Sequence, residues 1–367
     1  MKNICFITGT RAEYGLMKEL MLKFKNNNNF NLQIIATGSH LSKIHGETYH
    51  DILYDGFEIN KLVDMKLNDD TELGILKSMS IELSEISNAL SDLKPNIVIV
   101  LGDRYEILIA CISCLILKID VAHIAGGDIT EGVFDNKIRN AISQIAKYHF
   151  TTNIYSQNNL IKMGINEKFI YNYGNPGLDY LINYIPIEKE SVFIKYNVPK
   201  DKDLIIIIYH PVTLENNEDI DINEILESVK TFREKYFIII GPNSDTNYKV
   251  IIEKINNYKK KFNNLSLLMS VPREDFLSIV YYSKIFMGNS SAGLYEIPFL
   301  NVPVINLGNR QKNRVCPEGI VHIDCKKELL IESIIKILSR NTQIVYQNPY
   351  FYTNINENIY NQLLSLL

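Results

Sequence analysis

Residues 288–314 read G-N-S-S-A-G-L-Y-E-I-P-F-L-N-V-P-V-I-N-L-G-N-R-Q-K-N-R. An apolar run at 285–287 leads into them, a helical candidate covers 294–300, and an apolar run at 303–307 follows. Strand, helix and strand at that spacing predict a parallel βαβ unit, whose ligands sit beyond the strand C-termini. A helix opening on Ser290, Ser291 and Gly293 turns free backbone N–H groups and its positive dipole end outward, which suits a phosphate. Glu296 lies about 1.7 turns further along at ~3.6 residues per turn, where a carboxylate can accept from a diol such as ribose. Arg310 and Arg314 follow the second strand. The segment reads as a socket for a nucleotide diphosphate. For the serines alone, a helix N-cap is the plainer alternative.

The same alternation extends in both directions. Runs at 4–8, 32–36, 97–101 and 121–124 have the Ile/Val content of buried parallel strands. Helix-period stretches at 14–25, 76–93, 105–117 and 137–148 separate them. A second series of strands is expected at 204–209, 237–241, 265–269, 285–287 and 303–307. Its helices are expected at 222–234, 249–261, 273–283, 294–300 and 327–339. With 367 residues, this predicts an α/β fold of two doubly wound domains. Gly-Asn-Pro-Gly at 174–177 and Pro186 place the junction between 174 and 202. The N-terminal domain is set at 1–175 and the C-terminal one at 176–353, with a last helix at 354–367 crossing back onto the first.

A net charge of −4 argues against a general nucleic-acid or acidic-membrane binder, so any anionic ligand needs a local basic cluster. No run approaches the ~18–20 apolar residues of a membrane span, and the first apolar run is too short for a signal peptide. Five cysteines without a scaffold spacing point to a reducing, cytoplasmic setting. Cys111 and Cys114 form a C-x-x-C inside an apolar helix, without a second Cys/His pair. No metal is expected, and the first strand lacks the G-x-G-x-x-G of a nicotinamide or flavin site. No cofactor is expected either.

Polar residues gather at the strand ends. Gly9-Thr10-Arg11 closes the first strand and aims Arg11 at the mouth of the fold. Asp103, in Gly102-Asp103-Arg104, is either a helix N-cap or a general acid/base on a rigid edge. His123 lies inside an apolar run and reads equally as a core or a catalytic histidine. The diglycine at 126–127 introduces Asp128 and Glu131, and Asp135 follows. Asp135 and Arg139 are spaced i, i+4, so an internal ion pair competes with proton transfer by Asp135. In the second half, His210 precedes a proline and can donate to a phosphate or protonate a leaving group. Asn243 and Asp245 offer amide and carboxylate groups to sugar hydroxyls, and the backbone at Val271-Pro272 can read a base.

Assembled, these residues resemble the hydrolysing UDP-N-acetylglucosamine 2-epimerases of sialic and related nonulosonic acid synthesis. The resemblance rests on G-T-R-A-E-Y-G (9–15), G-D-R-Y-E (102–106), G-G-D-x-T-E-G (126–132), H-P-V-T (210–213), G-N-S-S-x-G-x-x-E (288–296) and N-L-G-x-R-Q (306–311). It covers essentially the whole chain. It implies a GT-B-like architecture of two Rossmann-type domains with the nucleotide in the interdomain cleft, and a homodimer. It puts the pyrophosphate near Arg11, His210, Ser290, Ser291 and Arg310, the ribose at Glu296 and the uracil beside Val271. Arg104 and Asn243 align with further nucleotide contacts, and Asp103, Asp128, Glu131 and Asp135 with the catalytic carboxylates.

The sequence departs from these relatives twice. Ala125 stands where they often carry glutamate or histidine, and Asp135-Asn136-Lys137-Ile138-Arg139-Asn140 replaces their common Asp-Asp-x-Ile-Arg-His. The implied activity is conversion of UDP-N-acetylglucosamine to free N-acetylmannosamine and UDP, a hydrolase-type epimerisation through a 2-acetamidoglucal. The departures motivate an alternative sugar, a UDP- or GDP-linked 2,4-diacetamido-2,4,6-trideoxyglucose. A GT-B glycosyltransferase is the competing enzyme class.

Overall fold

The structure, a computed structural model, describes residues 1–130, 133–212, 218–340 and 344–367. The chain divides into two compact units, one formed by Met1–Ile129, Phe134–Tyr180 and Tyr350–Leu367, the other by Thr130–Val133 and Leu181–Pro349.

The first unit alternates strand and helix: β1 (Lys2–Thr8), α1 (Arg11–Lys25), β2 (Phe30–Ala36), α2 (Tyr49–Tyr54), β3 (Lys61–Leu62), α3 (Glu72–Leu93), β4 (Ile97–Leu101), α4 (Tyr105–Leu117), β5 (Asp120–Ile124), α5 (Asp135–Ile145), β6 (Tyr148–Thr151), α6 (Ile154–Lys162) and β7 (Ile170–Asn172). The strands pair in parallel in the order β3-β2-β1-β4-β5-β6-β7. Apolar residues at every position of β4 suit a central strand covered on both faces. Thr10 caps α1 by accepting from the Glu13 N–H at 3.2 Å, which starts that helix three residues before its expected position.

The second unit holds α7 (Lys189–Lys195), β8 (Leu204–Ile208), α8 (Glu218–Thr231), β9 (Tyr236–Ile240), α9 (Tyr248–Lys259), β10 (Leu265–Leu268), α10 (Arg273–Tyr281), β11 (Ile285–Gly288), α11 (Ala292–Tyr295), β12 (Val304–Leu307), β13 (Val321–Ile323) and α12 (Lys327–Leu338). Its parallel sheet runs β10-β9-β8-β11-β12-β13. In both sheets the order reverses beside the first strand, so the switch points fall between β1 and β4 and between β8 and β11.

One expected helix is different. The segment at 294–300 is not one helix: α11 is a single turn, and a 3-10 turn, Ile297–Leu300, follows it. Pro298 explains the break, because its ring cannot donate and would collide with the carbonyl four residues earlier. Glu296 joins the two turns.

The last helix, α13 (Ile355–Leu366), belongs to the first unit. It lays Ile355, Ile359 and Leu363 inward at helical spacing. Tyr360 meets Phe24 of α1 with ring centroids 4.9 Å apart, and Lys23 pairs with Glu357 at 2.5 Å.

Candidate active site

In the second unit, the polar residues stand at the C-terminal ends of β8, β9, β11 and β12. Gly288 makes this possible. It closes β11 at φ +143°, and a Cβ there would lie 1.8 Å from the Ile208 carbonyl oxygen, so only glycine lets the two strand ends approach. The next residue, Asn289, then binds His210 reciprocally: the His210 N–H donates to Asn289 Oδ1 at 2.7 Å, and Asn289 Nδ2 donates to the His210 carbonyl at 2.8 Å. Gln311 Nε2 donates to the Asn289 carbonyl at 2.8 Å, and Arg314 Nη1 donates to Gln311 Oε1 at 2.7 Å. One hydrogen-bonded chain therefore ties three strand ends together across the switch point.

Arg310 lies in the same cluster, its Nη1 3.4 Å from the Asn289 carbonyl and its Nη2 3.8 Å from the buried Asp245 carboxylate. Asp245 also accepts from Asn243 Nδ2 at 2.6 Å, while the Asn243 N–H donates to His210 Nδ1 at 3.1 Å. That last bond makes Nδ1 an acceptor, so a neutral His210 carries its proton on Nε2. Ser290 and Ser291 precede α11, and Ser290 Oγ accepts from the Ala292 N–H at 3.4 Å. Because α11 is one turn long, its dipole adds less than a full helix would. Val271 is buried just after β10. Glu296 Oε1 accepts from Arg273 Nη2 at 2.9 Å, so part of that carboxylate is already engaged by a guanidinium.

In the first unit, Asp103 follows β4 and pairs with Arg139, whose side chain is 1% exposed while that of Asp103 is 24% exposed. Arg139 Nη1 also donates to the Asp128 carbonyl at 2.7 Å. A buried guanidinium thus fixes a half-buried carboxylate at the strand mouth. Asp135, at the start of α5, has Oδ1 3.9 Å from Arg104 Nη1. Asp128 is buried, and its Oδ1 accepts from the hydroxyls of Thr152 at 2.7 Å and Ser156 at 2.5 Å. Arg11 donates through Nε to Asp51 Oδ2 at 2.7 Å. Glu131 and Thr213 lie outside the described residues.

His123 is a core histidine. Its Nε2 donates to the Gly102 carbonyl at 2.8 Å and its Nδ1 meets Ser143 Oγ at 3.1 Å, while burial lowers its pKa to about 4. It holds the β4–β5 edge together and stays neutral. Ala125, just beyond β5, has φ +65° in the left-handed region, at a cost of roughly 1–2 kcal/mol for a residue with a Cβ.

The sequence alone assigned nothing to Asn289, Gln311 or Arg273, and gave no role to three buried carboxylates. Glu13, Glu82 and Glu106 all lie in the interior of the first unit. Glu13 and Glu106 are in the motifs at 9–15 and 102–106, whereas Glu82 shows itself only as a carboxylate on the buried stripe of α3 with Ile75, Ile86 and Leu90. Among the described residues, no group of three His, Cys, Asp or Glu side chains is arranged to hold a metal ion, and no helix is long and apolar enough to cross a membrane.

Comparison with known proteins identifies the family. The UDP-N-acetylglucosamine 2-epimerase family profile matches residues 22–364. GDP/UDP-N,N'-diacetylbacillosamine 2-epimerase (hydrolyzing) of Campylobacter jejuni is 35% identical over 87% of this chain and 84% of its own. Polysialic acid biosynthesis protein P7 of Escherichia coli is 33% identical over 96% and 91%. UDP-N,N'-diacetylbacillosamine 2-epimerase (hydrolyzing) of Legionella pneumophila is 30% identical over 100% and 96%. Among solved structures, UDP-GlcNAc 2-epimerase from Neisseria meningitidis, bound to UDP-GlcNAc, superposes over the whole of both chains with a TM-score of 0.82 at 20% identity. That likeness gives the fold, a GT-B-like pair of parallel-sheet α/β domains. By the extent of the profile match and by these relatives, the chain is a member of the UDP-N-acetylglucosamine 2-epimerase family.

Proposed function

We propose that this protein is a hydrolysing 2-epimerase of nucleotide-linked 2-acetamido sugars, the nucleotide held by the second unit and the carboxylates supplied by the first. The observation that carries this reading is Asp103, held at the end of β4 by the buried Arg139. A carboxylate fixed on a rigid strand end and still partly open to solvent has the placement a general acid or base needs. Arg11, His210, Ser290, Ser291 and Arg310 would take the pyrophosphate, with Arg104 and Asn243 as further nucleotide contacts. Glu296 would hold the ribose and Val271 would lie beside the base.

The chemistry follows from the substrate. The C2 proton of a 2-acetamido sugar has no carbonyl beside it to acidify it. Cleavage of the C1–O bond, with its electron pair leaving on the nucleotide, builds positive charge on the ring and makes that proton removable. The arginines and the strand-end N–H groups stabilise the departing diphosphate, and loss of one such contact commonly costs ~2–4 kcal/mol of transition-state stabilisation. A carboxylate, Asp103 or Asp135, then takes the C2 proton and leaves a glycal. Water adds at C1, C2 is reprotonated on the opposite face, and the free epimerised sugar departs. Asp128 and Glu131 complete the acidic set assigned here to the sugar.

For the sugar itself, we propose a 2,4-diacetamido-2,4,6-trideoxyhexose on UDP or GDP over UDP-N-acetylglucosamine. Ala125 carries only a methyl where relatives often carry glutamate or histidine, and two relatives at 35% and 30% identity are named for N,N'-diacetylbacillosamine. A homodimer is part of the same proposal, and five free cysteines fit a reducing, cytoplasmic setting. Incubation with UDP-N-acetylglucosamine and with UDP- and GDP-N,N'-diacetylbacillosamine, followed by identification of the free sugar, tests the assignment. Faster release from the diacetylated substrates is expected. Faster release of N-acetylmannosamine restores the simpler substrate, and a sugar that stays on its nucleotide refutes hydrolysis. Release only after an acceptor is added would mark a glycosyltransferase.

A further inference from the structure

Glu106 opens the first turn of α4 yet is 1% exposed. Its Oε1 is 3.4 Å from Arg104 Nε, and the same guanidinium presents Nη1 to Asp135 and lies over the Tyr105 ring at 4.9 Å. The carboxylate has little freedom. A Cβ on Gly9 would stand 2.5 Å from Glu106 Cγ, and one on Gly38 would stand 3.1 Å from Glu106 Oε1. Two glycine-bearing strand ends, after β1 and β2, therefore close around it.

The neighbouring titratable groups bear on the pairing of Glu106 with Arg104. From the β1–α1 turn, Glu13 Oε2 accepts from the Gly9 N–H at 2.8 Å, and burial together with the Glu106 charge raises its pKa to about 8. From α3, Glu82 Oε1 accepts from Thr37 Oγ1 at 2.8 Å, and burial with the Glu106 and Glu13 charges holds its carboxyl well above the usual range. From the loop after β2, His45 is kept neutral by burial and by the Arg104 charge. Burial thus favours the neutral form of Glu13 and Glu82, and of these three acids Glu106 is the one within hydrogen-bond range of Arg104.

We infer that Glu106 is a positioning residue, fixing the Arg104 guanidinium in the orientation that faces Asp135. Its bearing on catalysis rests on the carboxylate role proposed above for Asp135. Arg104 has rotatable bonds enough to leave that orientation, and each immobilised side chain of this kind normally costs rotamer entropy that a fixed partner must offset.

The first test does not depend on turnover. Phenylglyoxal labelling of the full chain, mapped by mass spectrometry, reads the accessibility of each arginine. In Glu106→Gln, labelling of Arg104 is expected to rise about fivefold or more while that of buried Arg139 stays at its wild-type rate. An unchanged Arg104 rate overturns the inference, and so does an equal rise at both arginines, which would mark general loosening. Should Glu106→Gln not fold, Gly9→Ala displaces the same carboxylate without removing it. The same rise at Arg104 is then expected, and its absence is equally decisive. The second test is a double-mutant cycle on whichever sugar nucleotide wild-type enzyme hydrolyses. Glu106→Gln should lower kcat/KM about tenfold in the wild-type background and less than about twofold in Arg104→Met. Equal losses in both backgrounds overturn the inference. If wild-type enzyme releases no sugar but the labelling rise is seen, the proposed reaction fails while the positioning of Arg104 stands.

Discussion

At the scale of single residues, the Asp103–Arg139 pair is where chemistry and stability meet. Asp103→Asn keeps the shape and removes the base. It is expected to lower free-sugar release by about 10²- to 10⁴-fold, with UDP affinity by calorimetry within about threefold of wild type. Wild-type turnover in that variant would end the assignment of Asp103. Arg139→Met should destabilise the chain by about 3 kcal/mol in urea titration, the low end for a broken buried pair because Asp103 keeps some solvent. A loss below ~1 kcal/mol would show that Arg139 does not hold the strand mouth. These partners mark the limit of reading spacing alone. An i, i+4 rule connects Arg139 to Asp135, and it cannot see Asp103 arriving from β4. Glu296 reads as a diol acceptor for the same reason, since its partner Arg273 comes from a different helix. Ser290, Ser291 and Arg310 were easier to locate because strand-end residues gather wherever parallel strands stop.

Among the elements, the long ones were legible and the short ones were not. Strands β1, β4, β8 and β9 are near-continuous apolar runs, and the helices between them have an apolar stripe. By contrast, β3, β7 and β13 hold two or three residues each and carry partly exposed side chains, so no periodicity distinguishes them from loops. They are strands because a sheet edge was there to receive them. Where β11 meets β8, Gly288 leaves no room for a Cβ. Gly288→Ala would force the two strand ends apart, and a loss of about 2 kcal/mol or more is expected from backbone strain and displacement. The same shift should uncouple Asn289 from His210, weakening UDP binding at least tenfold by calorimetry. Retained stability and affinity together would show that the two ends tolerate separation.

Across the whole molecule, stability should depend on pH in a direction set by buried groups. Burial lowers His40 and His149 to about 3 and His45 and His123 to about 4. Unfolded histidines titrate near 6.5, so as pH falls below that value the unfolded chain binds protons that the native one refuses. Each such histidine removes up to about 1.4 kcal/mol of stability per pH unit until its folded value is reached. The buried acids act oppositely. Glu13, raised to about 8, stabilises the fold below its unfolded value near 4.3 and loses that contribution as pH rises towards 8, with Glu82 adding to the same trend. Between about 4.5 and 6.5 these four histidines, with His322 lowered in the same direction, outweigh the acids, and above 6.5 the loss from Glu13 continues towards 8. The melting temperature should therefore peak near pH 6.5, and Glu13→Gln should flatten the fall between 6.5 and 8. A melting temperature still rising across that interval would contradict this balance.

Helix α13 has a bearing on how the protein is made. The first unit is complete to Tyr180 long before Tyr350 begins the segment that finishes it, an interval of 350 − 180 = 170 residues. At roughly 5–20 residues per second, a ribosome takes on the order of 10–30 s to cross that interval. Throughout it, Phe24 and the face of α1 that receives Tyr360 wait without their cover. A chain that stops before Tyr350 leaves that surface uncovered for good. Synthesis of the segment Tyr350–Leu367 is what covers the domain that was made first.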